Sequence, residues 1–400
     1  MTILIADSFS EPGRAALQQA GHTVVFEPGL KGGALTSALA EHEPNVLIVR
    51  STKVTAEDLD ASPDLELIVR AGAGYDTIDV ESASRCGIFI ANCPGKNAAA
   101  VAELAFGLML SLDRRIPDNV SEAREGRWNK GAFTKAQGVK GRTLGLIGMG
   151  NIGKEMAVRA RAFGMHVIAW SRSLTDEAAA EMGICREVNP IDVARESDVI
   201  SVHVAATPET QGLIGQDFMA AMRPGSLLIN TARASVMDEA AVAKAMDEKN
   251  IRVATDVPAD EPAGKEGEWL HPLVGHPNFY ITHHIGASTD QATVAIGDEA
   301  VRVVLTYADT GRVENCVNLA DQSPATHLLT VRHLDKVGVL ASVLDAAREA
   351  DWNVQEMENL IFAGAEAACA RIRFDGRPDA EALRRINEQP DVLNATIIAL

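Results

Sequence analysis

Four groups of residues in this 400-residue chain have types and spacings that suit chemistry. Gly148, Gly150 and Gly153 form a Gly-x-Gly-x-x-Gly run, whose glycines allow a tight turn, close backbone approach to a pyrophosphate and close helix–strand packing. Arg233, Glu261 and His284 form a second group, each just beyond a predicted strand. A guanidinium grips a carboxylate through two parallel hydrogen bonds. An imidazole exchanges a proton near neutral pH, and a neighbouring carboxylate orients its ring. Arg50 and Arg70, each at the end of an apolar strand, suit a small anion, and the glycines of 71–79 let backbone approach a ligand. Histidines crowd 271–284, but His271 and His276 precede prolines and no helical ligand spacing exists, so loop histidines are expected and no metal.

The elements that must position these groups are legible as alternation. A short apolar run at 143–147 precedes the glycines, a helix-period segment at 154–163 follows, and a second apolar run at 166–170 closes a βαβ unit. Such a unit places phosphates on the free N–H groups that begin the helix. A purely structural glycine turn is the alternative. At the end of the second run, where an acidic residue usually holds the ribose, stand Ser171 and Arg172. Ser171 is neutral and Arg172 is able to pair with a 2′-phosphate, so NADP use is open beside NAD, although an arginine at a strand end is often merely solvated.

Residues 1–95 alternate strands (2–7, 23–27, 46–50, 65–72, 88–92) with helical segments, and strands at 199–204, 226–232, 252–257 and 279–284 follow the βαβ unit. The class is α/β, with two Rossmann-like doubly wound parallel sheets. Ligands bind beyond the carboxyl ends of such strands, the positions of Arg50, Arg70, Arg233 and His284. Between the sheets runs a long apolar helix from Asn97, its expected N-cap, to a break at Pro117; it is expected to pack between domains or subunits. Residues 312–326 lose periodicity and read as a linker. The remainder alternates as βαββαβ, a ferredoxin-like plan with helices on one face of an antiparallel sheet.

Composition narrows the class. Apolar residues make up 46% and charged residues 23%, as in globular proteins. No apolar run reaches membrane-spanning length, and the first residues enter a strand directly, so a cytoplasmic protein is expected. The formal charge of −18 disfavours nucleic acid and anionic membranes as partners, and makes a local arginine nest necessary for a small anionic substrate. Five scattered cysteines, none in a CxxC pair, read as reduced packed thiols.

With these motifs in view, the chain resembles the D-2-hydroxyacid dehydrogenase family. The likeness rests on VRSTKVT (49–55), VRAGAGYDTID (69–79), NAAAVAE (97–103), GMGNIG (148–153), INTARASVMDE (229–239), DVPADEP (256–262) and THHIGAST (282–289). It implies that Arg233 binds the substrate carboxylate, that His284 is the acid/base and that Glu261 is its partner. Gly148, Gly150, Asn151, Ile152, Gly153, Ser171, Arg172, Thr231, Ala232, Gly286 and Ala287 become cofactor contacts, and Asp256 sits near the nicotinamide amide. Arg50, Arg70, Ala73, Gly74 and Asn97 become substrate contacts, the two arginines meeting a phosphate as in the phosphoglycerate-oxidising members. Ala234 and Pro258 replace a common glycine and a common aromatic.

The resemblance also implies a discontinuous substrate domain (1–96 and 288–315) around a nucleotide domain (97–287), a linker (316–325) and an ACT domain (326–400). In that tail His333, Asp335 and Asn353 are candidate contacts for L-serine bound across a subunit interface, although Asp335 stands where asparagine is usual and a purely structural dimerisation role is the alternative. The implied activity is oxidation of 3-phospho-D-glycerate, the first step of serine biosynthesis, in a homodimer or homotetramer. Two rivals stand beside it: a reductase of glyoxylate or hydroxypyruvate, and an NAD sensor that acts by binding a partner protein.

Overall fold

The computed structural model describes residues 1–262 and 267–400, which divide into two compact units, 1–318 and 319–400. Strands β1 (Thr2–Ile5), β2 (Thr23–Phe26), β3 (Val46–Val49), β4 (Leu67–Arg70) and β5 (Phe89–Asn92) form a parallel sheet in the order β2-β1-β3-β4-β5. Strands β6 (Thr143–Ile147), β7 (His166–Trp170), β8 (Cys185–Arg186), β9 (Val199–Val202), β10 (Leu227–Asn230), β11 (Arg252–Thr255) and β12 (Phe279–Ile281) form a second, in the order β12-β11-β10-β9-β6-β7-β8. It too is parallel throughout. Apolar runs such as Val46–Val49 and Leu227–Asn230 are buried at every residue, as sheets covered on both faces require.

The long apolar helix, Ala98–Arg114, buries Ala102, Ala105, Phe106, Met109 and Leu112 in a core shared with β6, β7 and the helix Asn151–Ala162. Its packing thus lies inside the second sheet's layer, while Ala100 near its start joins the first sheet's core. Asn97 occupies the N-cap position but its side chain makes no capping bond, because its backbone (φ −104°, ψ 3°) lacks the extended geometry a cap uses. Pro117 sits in the first turn of a new helix, Ile116–Arg124, and the break is made by Arg115 in the left-handed region. The chain then returns through the helix Asp290–Thr310, capped by Thr289. Its Ala292, Ile296, Ala300 and Val304 pack with Ile3, Ile48 and Val69 of the first sheet.

The expected strand 65–72 is shorter, because Gly72 at φ 154° turns the chain away after Arg70. β8 is an added two-residue edge strand that residues 185–186 do not announce. The expected linker 316–325 begins within the first unit. Asn318 bonds the backbone of Ile88 and Ile90, and Val317 donates to Ile90, so the boundary falls after Asn318.

The second unit holds β13 (His327–Leu334), β14 (Asn353–Ile361), β15 (Ala367–Asp375) and β16 (Val392–Ala399), antiparallel in the order β14-β15-β13-β16. Helices Val339–Glu349 and Ala380–Asn387 cover one face, giving βαββαβ as expected. Phe374, fully buried, stacks on Trp352 at 4.6 Å between centroids. Phe374→Ala is expected to cost this small unit about 3–5 kcal/mol. Hydrogen exchange of residues 319–400 under increasing urea would measure it, and unchanged protection would contradict the stated core.

Candidate active site

Each parallel strand delivers its following residue to one sheet edge, and the second sheet delivers the glycine turn first. After β6, Gly148 takes φ 102°, where an added Cβ would lie 2.5 Å from the His203 carbonyl oxygen. At Gly153 a Cβ would meet the Gly148 carbonyl oxygen at 2.2 Å. Helix Asn151–Ala162 starts from Gly150, which supplies no side-chain cap and has open space where a Cβ would stand. The first N–H groups of that helix are therefore free for a phosphate, and the crowded glycines form a cradle that a side chain would fill. Ile152 follows on the first turn. Ser171 and Arg172 follow β7, and the exposed Glu209 carboxylate is held low chiefly by the Thr207 hydroxyl, with Arg172 adding to it.

Under the turn lies a residue that the sequence reading missed. His203, after β9, is buried, with Ser201 Oγ 2.8 Å from Nε2 and Thr231 Oγ1 3.4 Å from Nδ1. Burial drives its imidazole down to about 3, so it stays neutral. Its only local signal is a polar residue closing the apolar run 199–204. Asn230 staples the neighbouring Thr231–Arg233 run: its Oδ1 accepts from Ala232 N at 3.0 Å and its Nδ2 donates to the Arg233 carbonyl at 3.0 Å.

The adjacent β11 and β12 bring Asp256, Glu261 and His284 to the same edge. His284 Nδ1 lies 2.7 Å from Glu261 Oε2. His284 itself is left-handed, at φ 52°, a conformation a non-glycine residue holds only when its surroundings enforce it. Asp256 enforces it. Its carbonyl accepts from His284 N at 2.9 Å, Oδ1 from Thr282 Oγ1 at 2.6 Å and Ile285 N at 2.9 Å, and Oδ2 from Gly286 N at 2.8 Å. The resemblance places Asp256 by the nicotinamide; the structure engages both its oxygens in the turn that carries His284, Gly286 and Ala287. Trp269 similarly donates to the carbonyl of left-handed Asp260, next to Glu261, at 3.0 Å.

The first sheet contributes the anion nest. Asp7 fixes the end of β3 by accepting from the N–H groups of Arg50, Ser51 and Thr52 at 2.6–2.9 Å. Burial would raise this carboxyl, and those donors outweigh it, holding it below its ordinary value. Arg70 folds over Gly72, where a Cβ would lie 1.5 Å from Nη1. Among the described residues its buried Nε finds no hydrogen-bond partner. Burial, then the like charge of Arg233 and more weakly of Arg50, lower it to about 10, with Asp76 opposing. Asn92 donates to the Ala73 carbonyl at 2.7 Å, fixing the loop, and a Cβ on Gly74 would lie 2.1 Å from Arg233 Nη2. Arg233 also donates to the Ala232 carbonyl at 2.7 Å and to Asp76 Oδ1 at 3.0 Å. Arg50, Arg70 and Arg233 are thus brought within electrostatic reach of one another from two sheets, and Asp76 joins them unforeseen.

The tail's candidates are not assembled in one chain. His333, 1% exposed, bonds the Leu334 carbonyl (2.8 Å) and Asn359 Oδ1 (3.1 Å), with Asp335 just beyond. Asn353 lies at the opposite end of the sheet, paired with Asp375, whereas His333 pairs with Ala368. The crowded histidines 271 and 276 pair with Glu239 and Asp247. Among the described residues no cluster of three metal-ligating side chains occurs, and no helix is long and apolar enough to cross a membrane.

Comparison with known proteins agrees with this geometry. Residues 106–286 match the family model for the D-isomer specific 2-hydroxyacid dehydrogenase NAD binding domain. A D-3-phosphoglycerate dehydrogenase of Archaeoglobus fulgidus is 34% identical over 86% of this chain and 64% of its own length. A hydroxypyruvate reductase of Thermotoga maritima is 42% identical over 66% of this chain and 84% of its own. The solved structure of an NAD+-bound 3-phosphoglycerate dehydrogenase from Entamoeba histolytica superposes with a TM-score of 0.66 at 29% identity, covering 80% of this chain and 99% of that one. The chain spans about three fifths of the length of the first curated phosphoglycerate dehydrogenases it matches.

Proposed function

We propose, because this chain belongs to the D-isomer specific 2-hydroxyacid dehydrogenase family, that it oxidises 3-phospho-D-glycerate to 3-phosphooxypyruvate with NAD. The observation that carries the choice of substrate is the nest itself: Arg50 and Arg70 at the first sheet's edge, with Arg233 reaching them from the second. A molecule bearing a carboxylate and a phosphate has a use for all three. Arg233 offers N–H groups to the carboxylate, and Arg50 and Arg70 take the phosphate. His284, its Nδ1 engaged by Glu261, presents Nε2 to the 2-hydroxyl and accepts its proton. Gly150, Asn151 and Ile152 would hold the pyrophosphate of NAD, with Ser171 and Arg172 at the ribose. Bound there, the cofactor supplies the acceptor for the hydride leaving C2.

A second reading, reduction of glyoxylate or hydroxypyruvate with NADPH, is favoured by Arg172 and by the hydroxypyruvate reductase relative. The NAD-sensor reading is opposed by the His284–Glu261 pair standing at hydrogen-bond distance. Restraint by L-serine belongs to the same proposal and needs a second copy of the chain, since Asn353 must reach His333 and Asp335 from elsewhere. Steady-state rates with 3-phospho-D-glycerate, D-glycerate and hydroxypyruvate, with both cofactors, with and without L-serine, test these readings together. The phosphorylated acid is expected to lead in kcat/KM by about a hundredfold, the scale of a charge pair gained in a desolvated site. Equal or greater efficiency on the unphosphorylated acids would give the chain to the second reading.

A further inference from the structure

The arginine nest contains a carboxylate that the reaction does not call for. Asp76, in the loop beyond β4, accepts from Arg233 Nη2 at 3.0 Å across a separation of 157 residues, from the first sheet's side of the cleft to the second's. The pair is open to solvent, the Asp76 side chain 59% and the Arg233 side chain 30% exposed. So exposed a pair adds little to folding, and stability does not account for it. Burial acts to raise the Asp76 carboxyl, but the hydrogen bond and charge of Arg233 outweigh it and hold the group below its ordinary value. It is therefore ionised at neutral pH. Without it, the repulsion between Arg233 and Arg70 would lose the carboxylate charge that offsets it.

We propose that Asp76 is a resident counter-anion on Arg233 that sets which charge class of 2-hydroxy acid the cleft prefers. This rests on the reading of Arg233 as the carboxylate-binding group. In the empty cleft Asp76 neutralises one edge of the guanidinium and holds it against Gly74. An incoming substrate places its carboxylate on the remaining N–H groups, within a few ångströms of the Asp76 charge. The repulsion grows with every further negative charge the substrate carries. Asp76 therefore lowers the advantage that Arg50 and Arg70 give a phosphorylated acid, and keeps the nest from closing permanently on any stray polyanion.

Asp76→Asn tests this cleanly, because asparagine keeps an acceptor for Arg233 and removes only the charge. A unit charge several ångströms away in a half-solvated cleft is worth about tenfold in affinity. Asp76→Asn is therefore expected to lower KM for 3-phospho-D-glycerate by about tenfold more than KM for D-glycerate, with NAD affinity unchanged. Asp76→Ala, which removes acceptor and charge together, is expected to show the same difference between substrates and serves if the asparagine variant does not fold. If both KM values move by the same factor, or neither moves, Asp76 is merely structural and the proposal is overturned. Should the wild-type chain not oxidise 3-phospho-D-glycerate, the substrate assignment fails separately. The charge effect is then read from inhibition constants of oxamate and oxalate, which carry one and two charges. The variant should tighten oxalate more than oxamate, and equal tightening would overturn the proposal there too.

Discussion

A His284→Ala chain is expected to lose turnover by about 10²–10⁴-fold while binding NAD as the wild type does. On the proposed mechanism the imidazole accepts the proton, and its geometry is fixed from two sides. Glu261 takes Nδ1 at 2.7 Å, which leaves Nε2 for the substrate, and Asp256 holds the backbone in a left-handed turn that alanine tolerates no better than histidine. The loss should therefore appear in kcat rather than in cofactor affinity, since the glycine turn lies on a different strand end. Glu261→Gln keeps a partner for Nδ1 and should lose less than His284→Ala. Pre-steady-state formation of reduced nicotinamide, with NAD affinity by calorimetry, makes the measurement. Turnover within a few-fold of wild type would remove His284 from the proton's path.

Arg233→Lys is expected to cut kcat/KM by about 10²–10³-fold, although the formal charge is kept. A guanidinium serves the Ala232 carbonyl, Asp76 and an incoming carboxylate at once through its planar fork; an ammonium is a point charge on a flexible stem and cannot replace that geometry. Truncating one partner of a desolvated charge pair costs about 2–5 kcal/mol, which spans this range. Since the carboxylate is common to all 2-hydroxy acids, phosphorylated and unphosphorylated substrates should suffer alike. Changes at Arg50 or Arg70 should fall on the phosphorylated one alone. A decrease below tenfold for Arg233→Lys would mean that the carboxylate binds elsewhere.

What was legible beforehand follows from how local each signal is. The glycine turn is legible because Gly148, Gly150 and Gly153 fall within six residues of one strand–helix junction, and Arg50, Arg70, Arg233 and His284 because parallel strands deliver the residues that follow them to the carboxyl edge of each sheet. Asp76 was invisible in its role, because nothing near it in the chain announces a partner at 233. The resemblance makes Asp256 a cofactor neighbour, but its bonds to residues 282–286 depend on β11 and β12 lying side by side. His284 gave no sign of its left-handed backbone, since only glycine advertises that freedom in a sequence. The resemblance groups Asn353 with His333 and Asp335 across a subunit interface, and within one chain strand direction sets it at the other end of the sheet from His333.

The imidazole beneath the phosphate turn has one more effect, on how the molecule answers acid. Being shut away from water, His203 takes up no proton until about pH 3, whereas its ordinary value is 6.5. His203 thus adds no charge to the floor of the dinucleotide cradle at neutral or mildly acid pH. The consequence surfaces in durability instead. As pH falls from about 6.5 towards 3, the unfolded chain gains a proton at this position that the folded one refuses, so acidification steadily favours unfolding.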